Sequence, residues 1–254
     1  MSADKLFKNK IFRAVLAAVF WIAVWQTVYL IVGKDVLVAS PAAVIQKIFL
    51  LAQTGEFWLS AAFSVLRIII GWTAGVAVGS VMAVITKKFS LLDAIFSPVI
   101  GVVRATPVAS FIILALVWLQ RQTIPSFISF LMVLPIVWGN VSEGIDNIPK
   151  GYLELAKVYR FSFVKRLKKI EFMSVKPYFE AACRTSLGLA WKAGIAAEVL
   201  CRPESSIGSS LWASKIYLET TDLFAWTAVV IILSFVLEKL MVKYLFGGRK
   251  NDKG

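Results

Sequence analysis

Apolar residues in this chain come in blocks about as long as a bilayer is thick, and that spacing restricts the fold more than any other feature. A helix rises about 1.5 Å per residue, so crossing roughly 30 Å of hydrocarbon takes about 20 residues. Blocks near that length fall at about 11–32, 59–86, 97–119, 124–141, 177–200 and 223–246. They hold the excess of a composition that is 59% hydrophobic and only 17% charged, against about 45–50% and 25% in soluble domains. The expected fold is all-α: a polytopic membrane protein with six transmembrane helices. It forms a single domain over residues 1–254, with its membrane core at about 10–246 and a cytoplasmic loop at 142–176.

A net charge of +13 suggests nucleic acid only until the bases are placed. They collect at the ends of alternate blocks. One side gathers 19 Lys and Arg, among them Lys5, Lys8, Lys10, Lys87, Lys88, eight in 142–176, Arg249, Lys250 and Lys253, and the other gathers five. The richer side is cytoplasmic, so both termini and the 142–176 loop are expected there, and no nucleic-acid partner is expected. Trp21, Trp25 and Tyr29 lengthen the first block, which no small-residue cleavage site follows; it reads as a retained helix. The chain has no histidine and two cysteines, Cys183 and Cys201. That excludes triad chemistry, a disulfide framework and a zinc site, so no catalytic residue, metal or cofactor is expected. With no G-x-x-x-x-G-K-[ST] loop, the chain is not expected to hydrolyse ATP. Cys201, at the outer end of the fifth block, is expected to react with an impermeant reagent from outside.

Several polar and small residues interrupt the apolar pattern. Ser40-Pro41 has the form of a helix cap and first turn, opening a short interfacial helix. Gly71, Gly75 and Gly79 recur every fourth residue and form a stripe that admits a close neighbour, either within the chain or at a subunit interface or pathway. Arg67 and Arg104 lie inside or at the edges of blocks and either snorkel to the interface or face protein and water. Glu180, Arg184, Trp191 and Glu198 stay within roughly 40° of one another around a helix. They make either an end-on ion pair with Glu198 at the far end or the wall of a watery pathway. Residues 152–172 carry Leu153, Ala156, Val158, Tyr159, Phe163, Leu167 and Ile170 at helical spacing among Lys157, Arg160, Lys165, Arg166, Lys168 and Lys169. Such a basic amphipathic helix lies on anionic lipid or docks a soluble partner.

The segment Glu154-Leu155-Ala156-Lys157-Val158-Tyr159-Arg160, continuing to Ile170 and Pro177, resembles the EAA motif of bacterial ABC importer permeases. Glu154 and Ala156 fit the motif. Arg160 stands where the family usually has glycine, and Met173 where it usually has proline. Arg67 through Gly71, Trp72 and Gly75 is similar to a stretch of the nitrate/sulfonate/taurine branch. So are Arg104-Ala105-Thr106-Pro107, Ser40-Pro41, and the later Arg184, Gly188, Ala190-Trp191, Glu198 and Gly208. The resemblance implies a type I importer permease in a bacterial cytoplasmic membrane, working as a homodimer with two ATP-binding subunits and an extracytoplasmic solute-binding protein. It implies that residues 154–170 form the coupling helix, with Glu154, Ala156, Lys157 and Arg160 in contact with the ATPase. The solute it implies is a small anion (sulfonate, taurine, nitrate or bicarbonate) or a vitamin precursor. The alternatives are a stand-alone channel or secondary transporter, which tends to place charges and broken helices near mid-membrane, and a membrane enzyme, for which no clustered nucleophile or ligand set is present.

Overall fold

The computed structural model describes residues 10–246, so the terminal bases Lys5, Lys8, Arg249, Lys250 and Lys253 lie outside the described residues. Among those described the regular structure is helical: α1 (Lys10–Val32), α2 (Pro41–Ala52), α3 (Gly55–Lys88), α4 (Ser90–Ala105), α5 (Val108–Trp118), α6 (Ile124–Asp146), α7 (Lys150–Val158), α8 (Phe163–Arg166), α9 (Phe172–Cys201), α10 (Ile207–Ile216) and α11 (Thr220–Phe246). A π-helical turn, Leu167–Glu171, joins α8 to α9.

By length and composition α1, α3, α6 and α11 can each cross a bilayer, and α4 with α5 makes a broken fifth candidate. The 30-residue α9 is long enough but is punctuated by Lys176, Glu180, Arg184, Lys192 and Glu198, so composition alone does not select it. The expected straight span over 97–119 is corrected. α4 and α5 are bent by 107° around Thr106 and Pro107. Pro107 has no N–H to continue the helix and pushes the preceding residue out of the helical region; Thr106 is accordingly extended, at φ −84° and ψ 130°. α5, with 11 residues, reaches only about 16 Å.

The chain divides into two compact units. The first holds the described residues up to Trp58 and Ser210–Ile231. Ser40 caps α2 as expected, its hydroxyl accepting from the Ala43 N–H at 3.2 Å with Pro41 in the first turn. Ala39, Val44 and Ala225 form its core under Trp25 and Phe224. Those two rings stack at 5.7 Å, and the Trp25 indole donates to the Ala39 carbonyl at 3.0 Å. Lys47 pairs with Asp222 at 2.8 Å.

The second unit holds Leu59–Ser209 and the described residues from Ile232. Its centre is α6, gripped by α3 and α9. A Cβ added at Gly71 would stand 2.1 Å from the Ser126 carbonyl oxygen, one at Gly75 2.7 Å from Val133 Cβ, and one at Gly79 3.0 Å from the Leu134 carbonyl oxygen. The glycine stripe therefore seats α6 backbone-close within the chain, where dispersion and close fit hold lipid-buried helices together. On α9, Gly194 makes the same kind of approach, 2.5 Å from Ile68 Cγ1 for an added Cβ. Ser129 donates across to the Ala190 carbonyl at 3.2 Å, and Trp72 donates to Ser186 at 3.1 Å. Ile112, Ala115, Ile124, Ile128, Ala193, Ala197 and Cys201 close the core. Cys201 is only 1% exposed, which corrects the expectation that its thiol reacts from outside: the position is at the end of α9, but the side chain points into packing.

Candidate functional site

Arg67 on α3 and Glu198 on α9, 131 positions apart, meet in the second unit. Arg67 Nη1 stands 3.5 Å from Glu198 Oε1, with side-chain exposures of 13% and 0%. The other carboxylate oxygen, Oε2, accepts from the Ser64 hydroxyl at 2.7 Å and from the Gly208 N–H at 3.2 Å. Ser64 in turn accepts from the Ile207 N–H at 3.0 Å, and Ser206 accepts from the Ser209 N–H at 3.1 Å. The first N–H groups of α10, which have no partner inside the helix, are thus met by buried oxygens, one of them a carboxylate where the helix dipole favours negative charge.

Arg67 also reaches outward. It donates to the carbonyls of Glu204 at 2.8 Å and Ser205 at 3.2 Å, and to the Gln122 side chain. These carbonyls belong to a turn with two residues in the left-handed region, Arg202 at φ 52° and Ser205 at φ 45°. Gly208 is required here: an added Cβ would lie 2.3 Å from Glu198 Cβ. The node joins α3, α9, α10 and the α5–α6 loop through a carboxylate that could not stay buried without its partners. Removing one member of a buried pair costs about 3–5 kcal/mol.

Arg67, Glu198 and Gly208 stand out in the sequence, though nothing there links them, and Ser64 and Gln122 do not stand out at all. The available signal for Ser64 was its place three residues before Arg67, on the same helical face. Within the chain Arg67 and Glu198 meet each other, Ser64, Gln122 and the 204–208 turn. Arg104, at the end of α4, is exposed yet reaches α6. Its guanidinium donates to the Pro135 carbonyl at 2.7 Å, lies 5.9 Å from the Trp138 ring, and fills the space that Gly139 leaves free. Pro135 sits near the middle of α6. Glu180 pairs with Lys176 at 3.8 Å, while Arg184 and Trp191 line a cavity with Gly188, Ser234 and Glu238.

The second group lies on α7. The helix expected as one piece through 152–172 is two. α7 stops at Val158, and α8 restarts at Phe163 behind a Ser162 cap. Arg160 takes a left-handed φ of 49°. Its N–H donates to the Lys157 carbonyl at 3.1 Å and the next N–H, of Phe161, reaches back to Ala156 at 2.9 Å. This is a Schellman stop, which normally takes glycine. Met173, in the place of the family's usual proline, lies within α9. Of the expected docking residues, Ala156 is buried at 3%, whereas Glu154, Lys157 and Arg160 are exposed. Beside them Tyr152, Leu155, Val158 and Tyr159 stand 54%, 51%, 75% and 69% exposed.

Several apolar helices of bilayer length, packed through glycine stripes and joined by a basic loop, define a multi-pass helical membrane protein. Residues 75–245 match the profile of the binding-protein-dependent transport system inner membrane component, and the chain belongs to that family. It is 34% identical over 161 residues to the bicarbonate transport system permease protein CmpB of Synechocystis sp., a match covering 62% of this chain and 56% of that protein. It is 28% identical over 203 residues to the nitrate import permease protein NrtB of Synechococcus elongatus, covering 76% of this chain and 72% of that protein. It is 30% identical over 151 residues to NrtB of Leptolyngbya laminosa, covering 58% and 52%. The chain thus spans little more than half the length of several of the curated relatives it matches.

Proposed function

We propose that this chain is the permease subunit of an ATP-driven, binding-protein-dependent importer. In this reading it makes the transmembrane path and leaves ATP hydrolysis to a partner. The observation that carries the reading is α7: a short helix on the basic loop between α6 and α9 whose Tyr152, Leu155, Val158 and Tyr159 are all exposed while Ala156 is tucked in. Apolar side chains flanked along the chain by Lys150, Lys157, Arg160 and Lys165 suit a protein groove with an acidic rim, and small, buried Ala156 lets α7 sit close on its own subunit. The family match supports the same role, with two ATP-binding subunits, an extracytoplasmic solute-binding protein, a second copy of the permease and the surrounding lipid as partners. With six crossings, α9 among them, and both termini cytoplasmic, α7 lies on the side where ATP is. Bicarbonate and nitrate, named for the relatives, make a small oxyanion the favoured solute, and Arg67 and Arg104 are compatible with one. A mechanical link is needed because ATP can shift the permease only if its subunit touches the two permease states differently.

Glu154→Lys reverses the charge at the matched coupling position without touching a span. In proteoliposomes holding the complete transporter, this variant is expected to insert normally and lose solute-stimulated ATP hydrolysis. Unchanged stimulation would remove α7 from the coupling role.

A further inference from the structure

We infer that the cavity between α9 and α11 in the second unit is a transit pocket, and that it takes a solute bearing an oxyanion together with a hydrogen-bond donor rather than a bare anion. This rests on the permease reading above and narrows its substrate. The cavity holds about 180 Å³, the share of roughly six waters in the liquid and room for a solute of a few heavy atoms. Arg184 on α9 and Glu238 on α11 bring opposite charges to one space, with Ser234 and Trp191 also in its lining. Charged side chains within apolar helices are costly and tend to mark solute paths.

Gly188 supplies a separate line of support. Glycine inside a helix costs stability relative to alanine. At Gly71, Gly75, Gly194 and Gly208 that cost is offset by a neighbour within 3 Å of where a Cβ would stand; at Gly188, as at Gly101 and Gly151, nothing described lies within 4 Å, and of these three Gly188 alone lines this cavity. Among the described residues no helix uses the room this glycine leaves, and Gly188 lines the cavity. Gly188 is near the middle of α9, so the pocket is not a surface notch at a helix end. A bare anion in this space gains the guanidinium and meets the carboxylate as well. A solute with both an oxyanion and an O–H or N–H, such as bicarbonate or an aminosulfonate, satisfies the two together.

The test uses Gly188→Cys, where an added Cβ meets no described atom of the chain within 4 Å, in the complete transporter in lipid nanodiscs. Cys183 and Cys201 are buried, so the unsubstituted chain is the blank. The introduced thiol is reacted with an anionic sulfonatoethyl and a cationic trimethylammonioethyl methanethiosulfonate, without nucleotide and after trapping with ATP and vanadate. The expected result is labelling whose rate differs between the two states. Arg184→Gln should slow the anionic reagent about tenfold and Glu238→Gln should speed it by a similar factor, with the cationic reagent shifting oppositely. Bicarbonate or taurine should protect the thiol, and nitrate should not. No labelling, equal rates in both states, indifference to Arg184 and Glu238, or protection by none of the three solutes would each overturn the pocket. Protection by nitrate equal to that by the others would overturn the solute class. Co-purification of the ATP-binding subunit is read on the same preparation. Its failure refutes the permease reading, while the charge dependence of labelling still decides the pocket.

Discussion

Arg160 sits at φ 49°, where a Cβ crowds the following carbonyl at a cost of roughly 1–2 kcal/mol for an L-residue. The two reverse hydrogen bonds that end α7 demand that conformation, and the usual glycine would adopt it freely. Replacing glycine by arginine therefore keeps the geometry of the stop and adds strain to it. Arg160→Gly is expected to stabilise the α7–α8 corner by about 1 kcal/mol, seen as slower amide hydrogen exchange at Lys157 through Phe161; faster exchange would mean that the arginine side chain holds the corner. The sequence showed the departure at 160 but not its consequence, because the backbone angle belongs to the turn and not to the residue. The Arg67–Glu198 node was illegible for a related reason. Each residue looked like a charge near a block end, and only the approach of α3 to α9 makes them partners.

Among the elements, the glycine stripe of α3 was legible as a close-packing face, since spacing of four places glycines on one side of a helix. Which partner it meets was not, and α6 is the answer within this chain. Gly75→Leu would drive a side chain into Val133, whose Cβ is already 2.7 Å from the position of an added Cβ. It is expected to prevent α3 from seating on α6 and to abolish recovery of folded protein from detergent extracts, whereas Thr73→Ala, at a neighbouring exposed position, should be tolerated. Normal recovery of Gly75→Leu would mean that the two helices are not held as described. Two breaks escaped periodicity. Hydrophobic spacing runs on across Arg160 because the apolar positions of α8 resume on a similar phase. It also runs on across Pro107, where apolar residues continue on both sides of a 107° bend. Periodicity reports which faces are apolar and is blind to a corner between two such faces; Pro107 was the signal that α5 begins there.

For the whole molecule, the apolar blocks announced a helical membrane protein directly, and the charge bias proposed its orientation. The number of crossings was less direct. Lys176, Glu180, Arg184 and Glu198 lower the hydropathy of α9 at the same positions where the fold gives them partners or a cavity. Cys201 is unsuitable for testing orientation because it is buried, but Arg121 and Tyr152 are exposed. With both termini cytoplasmic, Arg121→Cys is expected to react with an impermeant maleimide added outside intact cells, and Tyr152→Cys only after the membrane is opened. The reverse pattern would invert the protein.

The exposed apolar face of α7 is either a seat for an ATP-binding subunit or a face laid on anionic lipid. Leu155→Glu with Val158→Glu puts two carboxylates on that face, at positions each already more than half open to solvent, so the permease itself should fold and insert unchanged. Co-purification of the ATP-binding subunit with the tagged chain, compared between wild type and this double variant at equal membrane levels, is the most direct comparison. Loss of the subunit from the variant alone is the expected result, and its full retention would contradict the docking role of α7 and with it the importer assignment.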